Sequence, residues 1–213
     1  MRRLRLKDLP LSEVFQDNIV FIQPDEKIDF RALFNDRPLK VELCCGNGHF
    51  LADLAEMQPE FAFIGVDRLY RRIAAASRKV RKRKLENVRL VLDDATRFLN
   101  MHIEPCSLKA CYILFPDPWP KRRHHKHRLI TDGFLQQVSE RLMTGGELVI
   151  AHDHDEYSEW IAERIQRTAS LEPRYPELPC SFDIQEDLPR TLYEQKWRSL
   201  GRTIRYFRYA KKD

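Results

Sequence analysis

The 213-residue sequence predicts an α/β fold: a doubly wound, mostly parallel sheet closed by a C-terminal antiparallel hairpin. Three observations predict it. Short apolar runs of five or six residues recur between segments of helical spacing. Those runs end in glycine-containing or acidic turns. Near the C-terminus, a strict alternation follows a proline-rich stretch. Strands alternating with helices in this way imply right-handed βαβ crossovers and a parallel sheet.

Residues 1–37 are polar-rich with isolated apolar pairs and read as an N-terminal extension, leaving 38–213 as the folded domain. Val41 to Cys45 is the first strand. It runs through the turn Gly46-Asn47-Gly48 into a helix carrying Phe50, Leu51, Leu54 and Ala55. Phe61 to Val66 is the second strand, closed by Asp67. Leu69, Ile73, Ala76 and Val80 then form one helical stripe, with the basic residues off it. Val88 to Leu92 ends in Asp93-Asp94, and Cys111 to Phe115 ends in Pro116-Asp117-Pro118-Trp119-Pro120. Phe134, Leu135, Val138 and Leu142 mark a helix, Gly145-Gly146 opens a strand over Glu147 to Ala151, and Tyr157 to Arg167 is helical. The prolines between Pro173 and Pro189 exclude regular structure just before the last strand, Thr203 to Tyr209.

Composition excludes several classes. The five cysteines at 44, 45, 106, 111 and 180 are odd in number and form no C-x-x-C, which argues against a disulfide framework or a zinc ribbon. Cys45, Cys106 and Cys111 sit in apolar contexts and read as small buried hydrophobes. No run of 18 apolar residues suggests a membrane span, and Met1-Arg2-Arg3 leads into no apolar signal core, so a cytoplasmic, reducing setting is expected. The net charge of +5 hides a separation. Arg68 to Lys84 holds nine basic residues and Lys121 to Arg128 five, with no acid in either, so these 25 positions carry +14 and the rest of the chain −9. Such concentration points to a polyanionic partner on one surface.

In open parallel sheets, ligands bind outside the carboxyl ends of the strands, near the switch in strand order. Asp67, Asp94, Asp117, Asp153 and the Gly46-x-Gly48 turn all fall at or just past such ends. The turn lets backbone amides approach a nucleotide-like ligand, and an acid 25 residues after Glu42 suits a ribose diol. Leu51 stands where a dinucleotide site needs its third glycine. S-adenosylmethionine, which has an adenosine but no pyrophosphate, is therefore the better candidate. Prolines on both sides of Asp117 and Trp119 stiffen the backbone there, suiting groups held against a flat base.

From Lys40 to Ile204 the sequence resembles the bacterial tRNA (guanine-N7)-methyltransferases of the TrmB type. The residues that carry the resemblance are Glu42 to Phe50, Phe63-Ile64-Gly65-Val66-Asp67, Asp94-Ala95, Phe115 to His124 with Lys126, Arg128 and Leu129, and Thr191-Leu192-Tyr193-Glu194 with Lys196 and Gly201. The resemblance implies a class I, Rossmann-like methyltransferase that uses S-adenosyl-L-methionine and tRNA, methylating N7 of the variable-loop guanine at tRNA position 46. It implies a cofactor site of Glu42, Gly46, Gly48, Asp67, Asp94 and Asp117, with Asp117 also catalytic. Lys121, Asp153 and Thr191, Leu192, Tyr193 and Glu194 match substrate positions. Three positions depart from the family pattern. Cys44 stands for a glycine, Asp67 for the more common Glu, and His152 for a threonine. At Cys44 a side chain would crowd the methionine moiety if the backbone there needs a glycine conformation.

Trp119 has two readings, a stacking group beside the base and a core aromatic. The basic helix and the basic loop are the candidate phosphate contacts. His124-His125-x-His127 and His152-x-His154 lie among cations with no cysteine nearby, so no metal is expected. Two other functions stay open: methylation of a different RNA or of an exocyclic amine, and an RNA-binding relative without catalysis. A nicotinamide-dependent dehydrogenase is more distant. Monomer and homodimer are both compatible with the sequence.

Overall fold

A computed structural model describes residues 18–20, 28–175 and 187–213. Cys180, Pro176, Pro179 and most of the N-terminal extension lie outside them. Among the described residues, strands β1 (Ile19–Val20), β2 (Leu39–Leu43), β3 (Ala62–Asp67), β4 (Val88–Leu92), β5 (Leu108–Leu114), β6 (Leu142–His152), β7 (Leu171–Pro173) and β8 (Arg205–Lys211) form one sheet. Its order is β1-β4-β3-β2-β5-β6-β8-β7. All neighbours up to β6 are parallel, while β8 runs antiparallel to both β6 and β7. The expected fold class is therefore the observed one. Strand order reverses between β2 and β5, and the five carboxyl ends from β2 to β6 open on one edge.

Helices cover both faces, so the central strands are buried on both sides and read as apolar runs. On one face α1 (His49–Met57) and α2 (Tyr70–Lys82) bury Phe50, Leu51, Leu54, Ile73, Ala76 and Val80. On the other, α3 (Ala95–His102), α4 (Asp132–Arg141) and α5 (Asp155–Arg167) bury Phe98, Leu99, Leu135, Val138, Ile161 and Ile165. Phe30 and Phe34 join this second layer, and Ile19–Val20 pairs with Leu90 and Val91 at the sheet edge. Among the described residues no helix is long and apolar enough to cross a membrane.

Several expectations need correction. Leu69 caps α2 and is largely exposed rather than lying on its buried stripe. Strand β6 does not begin after Gly145-Gly146 but runs through them, with a register shift against β5. Gly146 passes so close to β5 that a Cβ would meet the Leu108 carbonyl oxygen at 2.7 Å. Pro173 ends a strand, and a helix, α6 (Leu192–Ser199), precedes β8 where the prolines suggested irregular chain. Thr191 starts that helix by accepting the Glu194 N–H, half of a capping box. Cys45 and Cys111 are buried as expected, whereas Cys106 is exposed.

Candidate active site

Two adjoining clefts lie over the reversal point. The larger, about 480 Å³, is lined among others by Glu42, Gly46, His152, Asp153, Thr191 and Arg202. The smaller, about 180 Å³, is lined by Asp67, Asp93, Asp94, Trp119 and His127. Cys44, Phe115, Pro116 and Asp117 border both, so Asp117, exposed at the end of β5, stands at the junction.

The backbone around this junction is unusual. Cys44, Gly46 and Gly48 all adopt left-handed φ, at 59°, 56° and 65°. Gly48 has no alternative, because a Cβ there would lie 2.6 Å from the Ala76 Cβ. For Cys44 the glycine conformation in question is the one it adopts, a costly choice for a residue that carries a Cβ. Phe115 and Trp119 are also left-handed, at 54° and 45°. Backbone held in sparsely populated regions clusters where groups must be aimed rather than merely packed.

The acids differ in what occupies them. Asp67, almost fully buried, accepts the N–H groups of Gly46 at 3.1 Å and Leu69 at 2.9 Å and lies 3.4 Å from Arg72. It thereby closes the β2 loop onto β3, with acceptor capacity to spare. Asp94 caps α3 through the N–H groups of Thr96 and Arg97. Glu42 and Asp93 each keep a buried oxygen, Oε2 and Oδ2, with no hydrogen-bond partner among the described residues. Burial, and then the neighbouring Asp67 charge, hold the Glu42 carboxyl well above the usual carboxylate range. Burial likewise pushes the Cys44 thiol up to about 12.

On the opposite wall, Asp153 pairs with Arg202 at 2.7 Å, and Arg202 lies over the Trp197 ring. Thr191, Leu192 and Tyr193 border the larger cleft, with Tyr193 packed on Phe115 at 4.6 Å. Glu194 does not face the cleft. It is fully buried, accepting from Arg198 at 2.7 Å and from the Tyr206 hydroxyl, so it fixes the start of α6. Lys121 is exposed at the head of a 3-10 turn, Arg122–His127, beyond the cleft walls. Trp119 is half-buried between the cleft and the rings of His124 and His127, 5.9 and 5.2 Å away.

The basic segments are not uniform. Arg128 is fully enclosed, bidentate to Glu156 at 3.0 and 2.6 Å, donating to the Pro118 carbonyl and packed against the Tyr157 and Trp160 rings. It anchors the loop and is not a phosphate contact, contrary to the sequence-based expectation. Lys121, Arg122, Arg123 and Lys126 remain exposed. On α2, Arg72 is engaged with Asp67, and Arg83, just past its end, with Asp53 and Glu56. Arg71, Arg78 and Lys82 are exposed and, seven and eleven residues apart, share one stripe.

Sequence reasoning missed Asp93 and Arg202 as cleft residues. Asp93 was legible as a second acid at a strand end. Arg202 had no local signal, since it reaches Asp153 from 49 residues away.

A family model described as "Putative methyltransferase" matches residues 36–207. A tRNA (guanine-N(7)-)-methyltransferase of Chlamydia felis is 32% identical over 213 residues, covering 99% of this chain and 92% of the relative. One from Mycobacterium avium (strain 104) is 33% identical over 186 residues, covering 87% and 71%. Among solved structures, the 16S rRNA methyltransferase KamB superposes with a TM-score of 0.64 at 14% identity, covering 86% of this chain and 93% of that one. An rRNA methylase from Streptococcus thermophilus superposes at 0.56 and 16% identity, covering 85% and 91%. These two likenesses concern the fold. With the matched span enclosing both cleft walls, and relatives above 30% identity over most of their length, the chain belongs to the tRNA (guanine-N(7)-)-methyltransferase family.

Proposed function

We propose that this chain transfers a methyl group from S-adenosylmethionine to N7 of a guanine in tRNA, the variable-loop guanine at position 46. The observation that carries the reading is the placement of Asp117 at the junction of the two clefts, with Asp67, Asp93 and Asp94 lining one and Asp153, Thr191 and Tyr193 lining the other. The cofactor fits this chain's own donor deficit. The orphaned Glu42 oxygen suits its ammonium, and the orphaned Asp93 oxygen suits an adenine or ribose donor. Asp67, bonded to the Gly46 N–H, and Asp94, on the wall of the smaller cleft, supply further acceptors. Bound there, S-adenosylmethionine supplies an electrophilic methyl on a sulfonium.

Guanine N7 carries an in-plane lone pair, so no residue need remove a proton first. The protein's task is orientation, with the nucleophile in line behind the methyl carbon. Asp117 orients the guanine edge and offsets the positive charge that grows on the purine. Asp153, Thr191, Leu192 and Tyr193 form the opposite wall, and Trp119 offers a face beside the junction. Lys121, Arg122, Arg123, Lys126 and the α2 stripe of Arg71, Arg78 and Lys82 meet the RNA backbone, supplying the energy to lift the base from its contacts. Residues 38–213 form the methyltransferase domain, to whose sheet and core the N-terminal extension adds Ile19–Val20, Phe30 and Phe34, and the domain works in the cytoplasm. Incubation with labelled S-adenosylmethionine and unmodified tRNA, followed by nucleoside analysis, should place the label in 7-methylguanosine. Label in another nucleoside would indicate a different acceptor.

A further inference from the structure

One buried side chain joins the two walls of the cleft. His152, at the end of β6, is 2% exposed. Its Nε2 lies 2.8 Å from the Pro116 carbonyl oxygen, which only accepts, so Nε2 carries the proton. Its Nδ1 lies 2.9 Å from the His154 backbone N–H, which only donates, so Nδ1 presents its lone pair. Both contacts hold together only in the neutral Nε2–H tautomer. The ring therefore ties the residue before Asp117 to the residue after Asp153. The Tyr157 ring, edge-on at 4.9 Å, and Phe115 at 6.5 Å keep it in that plane.

We propose that His152, as this neutral tautomer, is the positioning residue that sets the placement of Asp117 relative to Asp153 across the cleft. This rests on the function proposed above and deepens it. A second proton would have to enter at Nδ1, where it meets the N–H of His154 head-on. The nearest acceptor is then Asp153 Oδ1, 3.7 Å away. Protonation trades the backbone tie for an ion pair and draws the Asp153 carboxylate away from the cleft. Several groups face the ring. The hydrogen bond to the Pro116 carbonyl, and then Asp153, favour the proton, whereas His154 and Arg128 disfavour it. Tyr157 packs from α5, Arg205 lies opposite across the β8 register, and Phe115 and Pro116 bring no charge. Burial outweighs the rest and holds the imidazole below its ordinary 6.5, so the tie persists through neutral pH.

The test joins nitrogen NMR of the wild-type imidazoles to kinetics of H152Q, whose amide reaches toward Pro116, and H152N, whose amide reaches toward His154. The wild type should show the Nε2–H tautomer for His152 and a kcat that falls on the acid side below 6.5. Both variants should lose that acid limb, with kcat down about tenfold or more while S-adenosylmethionine affinity and melting temperature hold. An Nδ1–H tautomer in the wild type, which needs no variant to detect, overturns the proposal. So does an acid limb that survives in both variants, or a kcat within about twofold of wild type in both. If the wild type forms no 7-methylguanosine, the proposed function fails and this role with it. If the wild type is active and the variants match it, only this role fails.

Discussion

The guanidinium of Arg202 holds the carboxylate of Asp153 at 2.7 Å, with the arginine half exposed at the mouth of the larger cleft. An aspartate lining that cleft is thereby backed by a cation from the chain entering β8. If the base docks there as proposed, removing the cation leaves the carboxylate unsupported. Arg202→Gln should raise KM for tRNA about fivefold, the scale of a partly exposed ion pair, and leave cofactor affinity alone. Steady-state kinetics check this, and an unchanged KM would deny Arg202 any part in substrate binding.

Asp117 marks the junction of the two clefts and contributes to no ion pair among the described residues. Asp117→Ala should lower kcat about a hundredfold or more, the scale of losing one oriented electrostatic partner of the transition state. Calorimetric binding of S-adenosylmethionine should remain measurable. Undiminished turnover would remove Asp117 from the chemistry.

Burial, and then the Asp67 charge, raise the Glu42 carboxyl well above the usual carboxylate range. A cationic ammonium bound beside it should draw off the proton, so binding should release protons and strengthen as pH rises toward the raised pKa. Calorimetry in two buffers of different ionisation enthalpy reads this directly. The same shift carries a stability cost with a definite sign. A carboxyl raised in this way adds stability that is fully present below the ordinary Glu range and is lost as pH rises through the raised folded-state value, where the cost appears. Glu42→Gln should therefore melt higher than wild type at alkaline pH yet bind the cofactor about tenfold more weakly.

Cys44 adopts φ 59° without being glycine. Cys44→Gly should relieve about 1 kcal/mol of backbone strain and widen the junction of the clefts. Thermal denaturation should show a higher midpoint, and titration a tighter cofactor complex. A lower midpoint would mean that Sγ packing outweighs the strain.

Arg71, Arg78 and Lys82 form an exposed stripe running along α2. Replacing all three by Gln should reduce the slope of log tRNA affinity against log salt by about three, one for each phosphate left without its cation. Binding of S-adenosylmethionine should not change. An unaltered slope would turn the stripe into an ordinary solvated face.

Central strands, buried on both sides, announce themselves as Val41 to Leu43 or Val88 to Leu92, and the acids at their ends stand out because polarity returns abruptly. That much of the fold and site could be read in order along the chain. The edges could not. Ile19–Val20 is two residues long, and α3 and α6 have eight residues each, too few for a convincing period. Their signals are caps instead, Asp94 before Thr96 and Thr191 before Glu194. The family resemblance grouped Glu194 with the substrate residues, but only three-dimensional packing against Tyr206 and Arg198 reveals that it faces inward. Pairing across long separations, as for Arg202 and Asp153, leaves no trace in local pattern.

Arg128 bears on how experiments on the basic loop should be designed. An alanine scan that scores every cation by its effect on tRNA affinity would rank it first, since it clamps Pro118 to Glu156 and so fixes the shape of the turn that displays the others. Its removal would be felt as disorder of a whole surface rather than as one missing phosphate partner. Replacing the loop's arginines by charge-preserving Lys separates the two effects, because lysine keeps the charge but cannot form the fork. Arg122 and Arg123 should tolerate Lys with tRNA affinity kept, whereas Arg128, the hinge pin on which they hang, should not.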